Sequence, residues 1–219
     1  MNLAAPISER TAVLVDFGGV ITTSVFAAFE EFGATLGDPG LPLRLLGGDP
    51  ISRGLLAEHE SGRIDAEEFE QGFAERLRAH GAAVTAEGLA ARMQAGMRRD
   101  DRTVALVDDL RAAGVPVALV SNAFGRDCYA GFDLAALADE VVISAEIGIR
   151  KPSRGIYALA CERLGVAPEQ AVMVDDLQQN LDGAARIGIA GVLHTDADTT
   201  RLELAERFGF VTGRVPGQV

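Results

Sequence analysis

Five short apolar runs, rich in β-branched residues, constrain this chain more than any other feature. They lie at residues 12–15, 117–120, 141–143, 171–174 and 191–193. Each is nearly continuous in apolar residues rather than alternating, as expected of strands buried on both faces. Helical periodicity separates most of them, so the chain reads as an α/β protein with a parallel sheet. A core of this kind needs bulk, and hydrophobic residues supply 48% of the 219 positions. Aromatics are only 5% and Trp is absent, so Ala, Leu, Val and Gly must fill the interior.

The helices are well punctuated. Residues 101–113 place Val104, Leu106, Val107 and Leu110 at helical spacing and stop at Gly114. Residues 153–164 put Ile156, Leu159, Ala160 and Leu164 on one face, with Pro152 near the start and Gly165 just past the end. The first two strands are far apart, and the intervening residues 22–98 read as an all-helical insert. The expected division is therefore a core of residues 1–21 and 99–219 with an inserted domain of residues 22–98. Ser24 is placed to cap a helix carrying Phe26, Phe29 and Phe32 and ending at Gly37, after which a loop rich in Gly and Pro is expected. Asp65 and Glu68 resemble a capping box before Phe69, Phe73 and Leu77, and Thr85 is a candidate cap for a helix through Met93.

Charge and cysteine usage exclude some functions. Twenty basic against 32 acidic residues give a net charge of −12. That argues against non-specific nucleic-acid binding and against adhesion to anionic membranes. It leaves a phosphate site open, because such a site needs only local positive charge. Cys128 and Cys161 make no disulfide framework and are expected as buried thiols in helices. The segment from Met1 to Arg10 lacks the pattern of a signal peptide, and no apolar run reaches membrane-spanning length, so cytoplasm is the default location.

Four short segments could carry chemistry. In VLVDFGGVI (13–21), Asp16 ends a hydrophobic strand and glycines follow. Ligands of open α/β sheets bind beyond the carboxyl ends of the strands. Gly18 and Gly19 would let backbone amides approach a ligand closely, although Asp16 as a plain turn cap fits as well. Ser121 and Asn122 follow the second strand and could donate hydrogen bonds to an oxyanion, or simply cap the next helix. Lys151 precedes a helix amino end, where the macrodipole disfavours a cation; an adjacent anion would explain it, and so would a solvated loop. Asp175 and Asp176 end the fourth strand. If Asp175 faces Asp16, a divalent cation such as Mg²⁺ would offset their repulsion; otherwise the pair starts a helix, with Asn180 and Asp182 solvated.

Taken in order, these segments resemble the four motifs of the haloacid dehalogenase (HAD) superfamily over nearly the whole chain. Asp16 resembles the motif I nucleophile, Ser121 the motif II Ser/Thr, Lys151 the motif III lysine, and Asp175-Asp176 the motif IV acidic pair. The string DFGGVI from Asp16 is similar to the phosphatase domain of soluble epoxide hydrolases and related bacterial phosphatases. The resemblance implies a Rossmann-like core, with the fourth and second strands flanking the first, and a helical C1 cap. It implies a Mg²⁺-dependent phosphomonoesterase acting on a small phosphorylated metabolite through an aspartyl-phosphate. Asp16 would attack phosphorus, while Ser121 and Lys151, with Gly18, Gly19 and Asn122 nearby, would hold the phosphoryl group. Asp16, the Gly18 carbonyl and Asp175 would bind the metal, and Asp176 would orient its surroundings.

One departure stands out. Most phosphatases of the family carry an Asp two residues after the nucleophile as general acid and base, and here that position is Gly18. Loss of such a group costs about 10²–10⁴-fold in rate. His59 and His194 are the candidate substitutes. Two rival functions follow. Metal-independent C–halogen hydrolases also lack that Asp, but they carry an aromatic residue where this chain has Gly18, and their motif IV is not a bare Asp-Asp pair. The other rival is a degenerate member acting as a binding partner.

Overall fold

The computed structural model describes residues 10–209, the side chains at 126 and 127 excepted, so the expectation for the N-terminal segment falls almost wholly outside them. All five expected strands form. They are β1 (Ala12–Val15), β2 (Val117–Ser121), β3 (Glu140–Ile143), β4 (Ala171–Asp175) and β5 (Ala190–Leu193), each of the last four one residue longer than the apolar run. They make one parallel sheet in the order β3-β2-β1-β4-β5, with Val13 level with Val117 on one side and Val172 on the other. The first strand is thus central, flanked by the fourth and second. Parallel pairing brings the carboxyl ends of β1, β2 and β4 to one edge.

Strand residues alternate between two apolar layers. Val13, Val15, Leu119, Val172 and Val174 pack with Val104, Val107 and Leu110 of α6 (Asp101–Ala112) and Leu204 of α11 (Ala197–Phe208). Leu14, Ala118, Val120 and Met173 pack on the opposite face, against α9 (Arg154–Leu164) and α10 (Gln178–Ala185). Small residues such as Ala118, Ala160, Ala171 and Ala184 dominate this second layer, as a chain without Trp requires. The helix signals work as local chemistry demands. The Asp100 side chain accepts from the Arg102 and Thr103 amides at the start of α6, and α9 ends at Gly165 in the left-handed conformation. Two short helices, α7 (Leu134–Leu137) and α8 (Ser144–Ile147), flank β3.

Between β1 and α6 the chain forms only helices: α1 (Val25–Thr35), α2 (Leu41–Gly48), α3 (Pro50–Glu60), α4 (Ala66–Ala79) and α5 (Leu89–Gln94). They enclose their own apolar cluster around Phe29, Phe32, Leu45, Phe69, Phe73, Leu77 and Met93. Ser24 caps α1 by accepting from the Ala27 amide, and Asp65 with Glu68 forms a reciprocal capping box on α4.

Two expectations need correction in this region. The segment read as a loop rich in Gly and Pro holds α2 and α3: Asp49 caps α3 and Pro50 takes its first position, so the Gly47-Gly48-Asp49-Pro50 run only separates two helices. Thr85 caps nothing, because the next helix starts at Leu89 after a left-handed Gly88. The helix α1 carries Phe26, Phe29 and Phe32 as expected, with Phe26 45% exposed. Cys161 is buried within α9 as expected, whereas Cys128 is only half-buried in a 3-10 turn, its Sγ 3.0 Å from the Gly125 carbonyl oxygen.

The chain leaves and re-enters the sheet domain at one place. Thr22 and Arg99 form an isolated antiparallel bridge, the Thr23 amide donates to the Arg98 carbonyl at 2.8 Å, and the Asp100 amide donates to that of Ile21 at 2.9 Å. Among the described residues no helix is long and apolar enough to cross a membrane.

Candidate active site

Asp16 follows β1, and Asp175 is the last residue of β4. Because those strands are neighbours in register, the two carboxylates meet at the sheet edge, where both are held by one lysine. Lys151 Nζ lies 2.6 Å from Asp16 Oδ1 and 2.7 Å from Asp175 Oδ2. This lysine is buried, with only 1% of its surface accessible, so it is no solvated loop residue. Burial works against its ammonium, but Asp16 and Asp175 outweigh that and raise its pKa.

Asp16 is held on one oxygen only. Its Oδ1 receives Lys151 and the Phe17 amide, the latter at 2.6 Å. Among the described residues no donor reaches Oδ2, and Asp16 lines the cavity above the sheet edge. Asp175, by contrast, is bonded on both oxygens: Oδ2 by Lys151, and Oδ1 by the Leu177 amide and Asn180 Nδ2, both at 2.9 Å. Asn180 is therefore not a solvated helix position but a buried donor that orients Asp175. Its place in the first turn of α10, just beyond the acidic pair, was the signal for that role.

Asp16, Asp175 and Asp176 each offer a carboxylate oxygen, and these lie within 4.8 Å of one another. Burial pushes the Asp16 carboxyl up, Lys151 pulls it down and Asp175 pushes it up again, so that it stays above the usual carboxylate range. Burial and Asp175 likewise raise Asp176 to about 6. Three carboxylates facing one ammonium are under-neutralised.

The glycines after Asp16 serve different ends. Gly19 has φ +80°, and a Cβ there would lie 2.2 Å from Asp176 Oδ2, so only glycine lets Asp176 approach. Its amide donates to Thr22 Oγ1 at 3.2 Å. Gly18 has no such backbone requirement; a Cβ there would meet the Val25 Cγ2 methyl at 2.8 Å.

The second-strand residues separate in role. Ser121 Oγ sits at the end of β2 and receives the Tyr129 hydroxyl at 2.8 Å. Asn122 lines the cavity, but its amide is engaged elsewhere: Nδ2 donates to the Lys151 carbonyl at 3.2 Å and Oδ1 accepts from the Lys151 amide at 2.8 Å. It thus fixes the lysine's backbone and leaves little to offer an oxyanion directly.

Neither histidine reaches the cavity. His59 stacks on Phe69 at 4.6 Å within the helical cluster, and burial lowers its pKa. His194 is paired through Nδ1 with Thr200 Oγ1 at 2.8 Å, and burial lowers its pKa as well. One acid not singled out from the sequence does reach it. Glu60, at the end of α3, lines the cavity, is raised in pKa by burial, and forms an ion pair with Arg150, the neighbour of Lys151.

Comparison with known proteins agrees with this arrangement. The model of haloacid dehalogenase-like hydrolases matches residues 11–188. A glyceraldehyde 3-phosphate phosphatase of Methanopyrus kandleri is 52% identical over 54 residues, 24% of this chain and 23% of that protein. An (S)-2-haloacid dehalogenase of Burkholderia cepacia is 32% identical over 85 residues, 37% of each chain. The chain thus spans well under half the length of these two curated relatives. A HAD family enzyme of Bacteroides thetaiotaomicron, solved in complex with magnesium and inorganic phosphate, superposes with TM-score 0.62 at 21% identity over 84% of this chain and 93% of that one. With a family match that runs from the start of β1 through α10 and takes in every residue of the carboxylate–lysine cluster, the chain belongs to the haloacid dehalogenase-like hydrolases.

Proposed function

We propose that this hydrolase cleaves phosphate monoesters, with Asp16 as the nucleophile. The observation that carries the reading is the asymmetry of Asp16: Oδ1 is fixed by Lys151 and the Phe17 amide while Oδ2 is open to the cavity. A carboxylate aligned on one oxygen presents the other for attack. Oδ2 forms a bond to phosphorus, the bond from phosphorus to the ester oxygen breaks, and that oxygen takes a proton from solvent. Water then displaces Asp16 from the aspartyl-phosphate and releases inorganic phosphate.

The residues present fit a divalent cation. All the donors are oxygens, Gly19 makes room for Asp176, and the three acids are under-neutralised by Lys151 alone. Hard oxygen donors of this kind suit Mg²⁺, which Asp16, Asp175 and the Gly18 carbonyl would hold with Asp176 alongside. When bound, it lowers the repulsion between anionic nucleophile and anionic ester and polarises the phosphoryl group. In this reading Lys151 places positive charge against the phosphoryl oxygens, and the Ser121 hydroxyl, which accepts from Tyr129 and so keeps its proton to give, would donate to them. The helices over the cavity act in this reading as a cap that excludes water from the site.

Similarity extends to both phosphatases and a dehalogenase, so the reaction must be separated from C–halogen hydrolysis. The acidic cluster favours the phosphatase, because without a cation it would repel the carboxylate of a haloacid. The test is phosphate release from a panel of phosphate esters with Mg²⁺, run beside halide release from haloacids with EDTA. Phosphate release by the wild type, lost by about 10⁴-fold or more in a folded Asp16→Asn variant, is the expected result. Halide release that survives EDTA, with no phosphate release, would replace this reading by the dehalogenase.

A further inference from the structure

The cavity over Asp16 has a volume of about 700 Å³. That is in the range of about 300–1,000 Å³ typical of pockets for drug-sized ligands, and a three-carbon phosphate would leave most of it unfilled. Its floor and roof differ sharply. The floor presents Asp16, Lys151 and Asp176. The walls above are Val25, Phe26 and Phe29 of α1, Leu46 of α2, Leu56 of α3 and Phe124 from the loop after β2. Phe29 and Phe124 pack ring to ring at 5.2 Å, so this wall is continuous rather than scattered. Phe26 is 45% exposed in a chain with few exposed large apolar residues, and it exposes itself where it lines the cavity.

Polar side chains on the helices over the site are few. Arg53 and Glu60 are those that line the cavity, and Glu60 is already neutralised by Arg150. Arg150, Asn122 and Gln179 line it nearer the sheet edge, so a polyhydroxylated leaving group lying along the apolar walls above would give up water with only Arg53 in reach, at a cost for each unpaired hydroxyl. An apolar leaving group loses nothing by the same transfer and gains from burial.

We infer that the leaving group of the substrate is a hydrophobic alcohol, an extended alkyl, terpenyl or aryl body, rather than a sugar, polyol or three-carbon acid. This rests on the phosphomonoesterase reading above. The experiment measures binding as well as turnover. The wild type with Mg²⁺ is titrated calorimetrically with n-alkylphosphonates from methyl to octyl and with a polyol phosphonate of six carbons, and kcat/KM is measured for the matching phosphate esters. Affinity and kcat/KM should both rise by about two- to fourfold per methylene until the cavity is filled. The polyol should do no better than methyl. Phe26→Gln, at an exposed position where folding is not at stake, and Leu56→Gln should each flatten the chain-length dependence. Measurable binding with no chain-length dependence, or a polyol that binds as tightly as hexyl, overturns the inference and leaves the phosphatase reading standing. Failure of every phosphonate to bind, together with absent phosphate release, overturns both.

Discussion

Asp175, buried beneath the floor of the cavity, and Phe29, on its wall, are held by different physics. Asp175 has every oxygen assigned, to Lys151, to Asn180 and to the Leu177 amide, so its orientation is set by directional bonds. Phe29 is set by contact with Phe124 and the rest of the helical cluster, which fixes volume but no direction. Directional bonds are intolerant: loss of one leaves a buried charge unpaired. Apolar packing tolerates exchange of similar volumes. The floor is thus suited to one chemistry and the roof to many leaving groups, and the comparison can be broken from either side.

The largest effect is expected from the floor's missing charge. Exhaustive EDTA treatment should abolish phosphate release, and Mg²⁺ should restore it while Ca²⁺ does not. Calcium takes more oxygen ligands in looser geometry and would engage both oxygens of Asp16. Full activity in metal-free protein would show that Lys151 suffices to balance the acids.

Next is Asn180→Ala, which removes one of the three donors on Asp175. Disturbing such supporting bonds typically costs about 10–100-fold in metal affinity or activity. The increase should appear in the Mg²⁺ concentration needed for half-maximal activity, with little change in chain-length preference. A change in the preference alone would contradict the division between floor and roof.

A smaller effect is expected where the two regions touch, at Gly18 and Val25. With no acid at Gly18, turnover should fall steeply as the leaving-group pKa rises, since a loose transition state puts charge on the departing oxygen. Gly18→Asp on its own would press on the Val25 methyl, so the informative variant is Gly18→Asp with Val25→Ala. It should flatten the plot of log(kcat/KM) against leaving-group pKa by supplying a proton to the departing oxygen, so that only the poorest leaving groups gain. A wild-type plot that is already flat would point to an acid elsewhere, with Glu60 the first to replace.

The smallest effect belongs to a directional tie within the roof. Asp49 caps α3 and pairs with Arg76 of α4, and these bonds, Arg76 first, hold its pKa down at about 2 against an ordinary 3.8. A depressed folded pKa means the contribution is complete above about 4 and fades as pH falls through 2. Asp49→Asn should lower Tm by roughly 2–4 °C at pH 6. The gap between wild type and variant should close toward pH 2, and a gap independent of pH would assign the effect to shape rather than charge.

The same contrast decides what could be read from the sequence. The strands were legible because burial on both faces leaves continuous apolar runs, and β1, β4 and β2 then had to bring Asp16, Asp175 and Ser121 to one edge. The lysine was legible because a cation ahead of a helix needs an anion. Asn180 and Tyr129 were missed because their roles depend on which atom they meet, which no periodicity encodes. Asn122 was assigned to an oxyanion when its amide in fact ties down the Lys151 backbone. In the helical region, α2 and α3 were hidden by Gly47 and Gly48, though Asp49-Pro50 is itself a helix-start signal. Glu60 was not singled out because only the packing of α3 on the sheet domain brings it beside Arg150.

The paired crossing at Thr22 and Arg99 has a consequence for how the molecule assembles. Pairing β1 with β2 closes a loop of roughly 100 residues, whose entropy grows with the logarithm of its length. Helices α1 to α5, once packed, hold the two ends of that loop side by side and shorten it to roughly 25 free residues, easing closure by about 1 kcal/mol. The region that shapes the cavity is therefore also a splint for the sheet, and weakening its apolar cluster should slow refolding of the sheet as well.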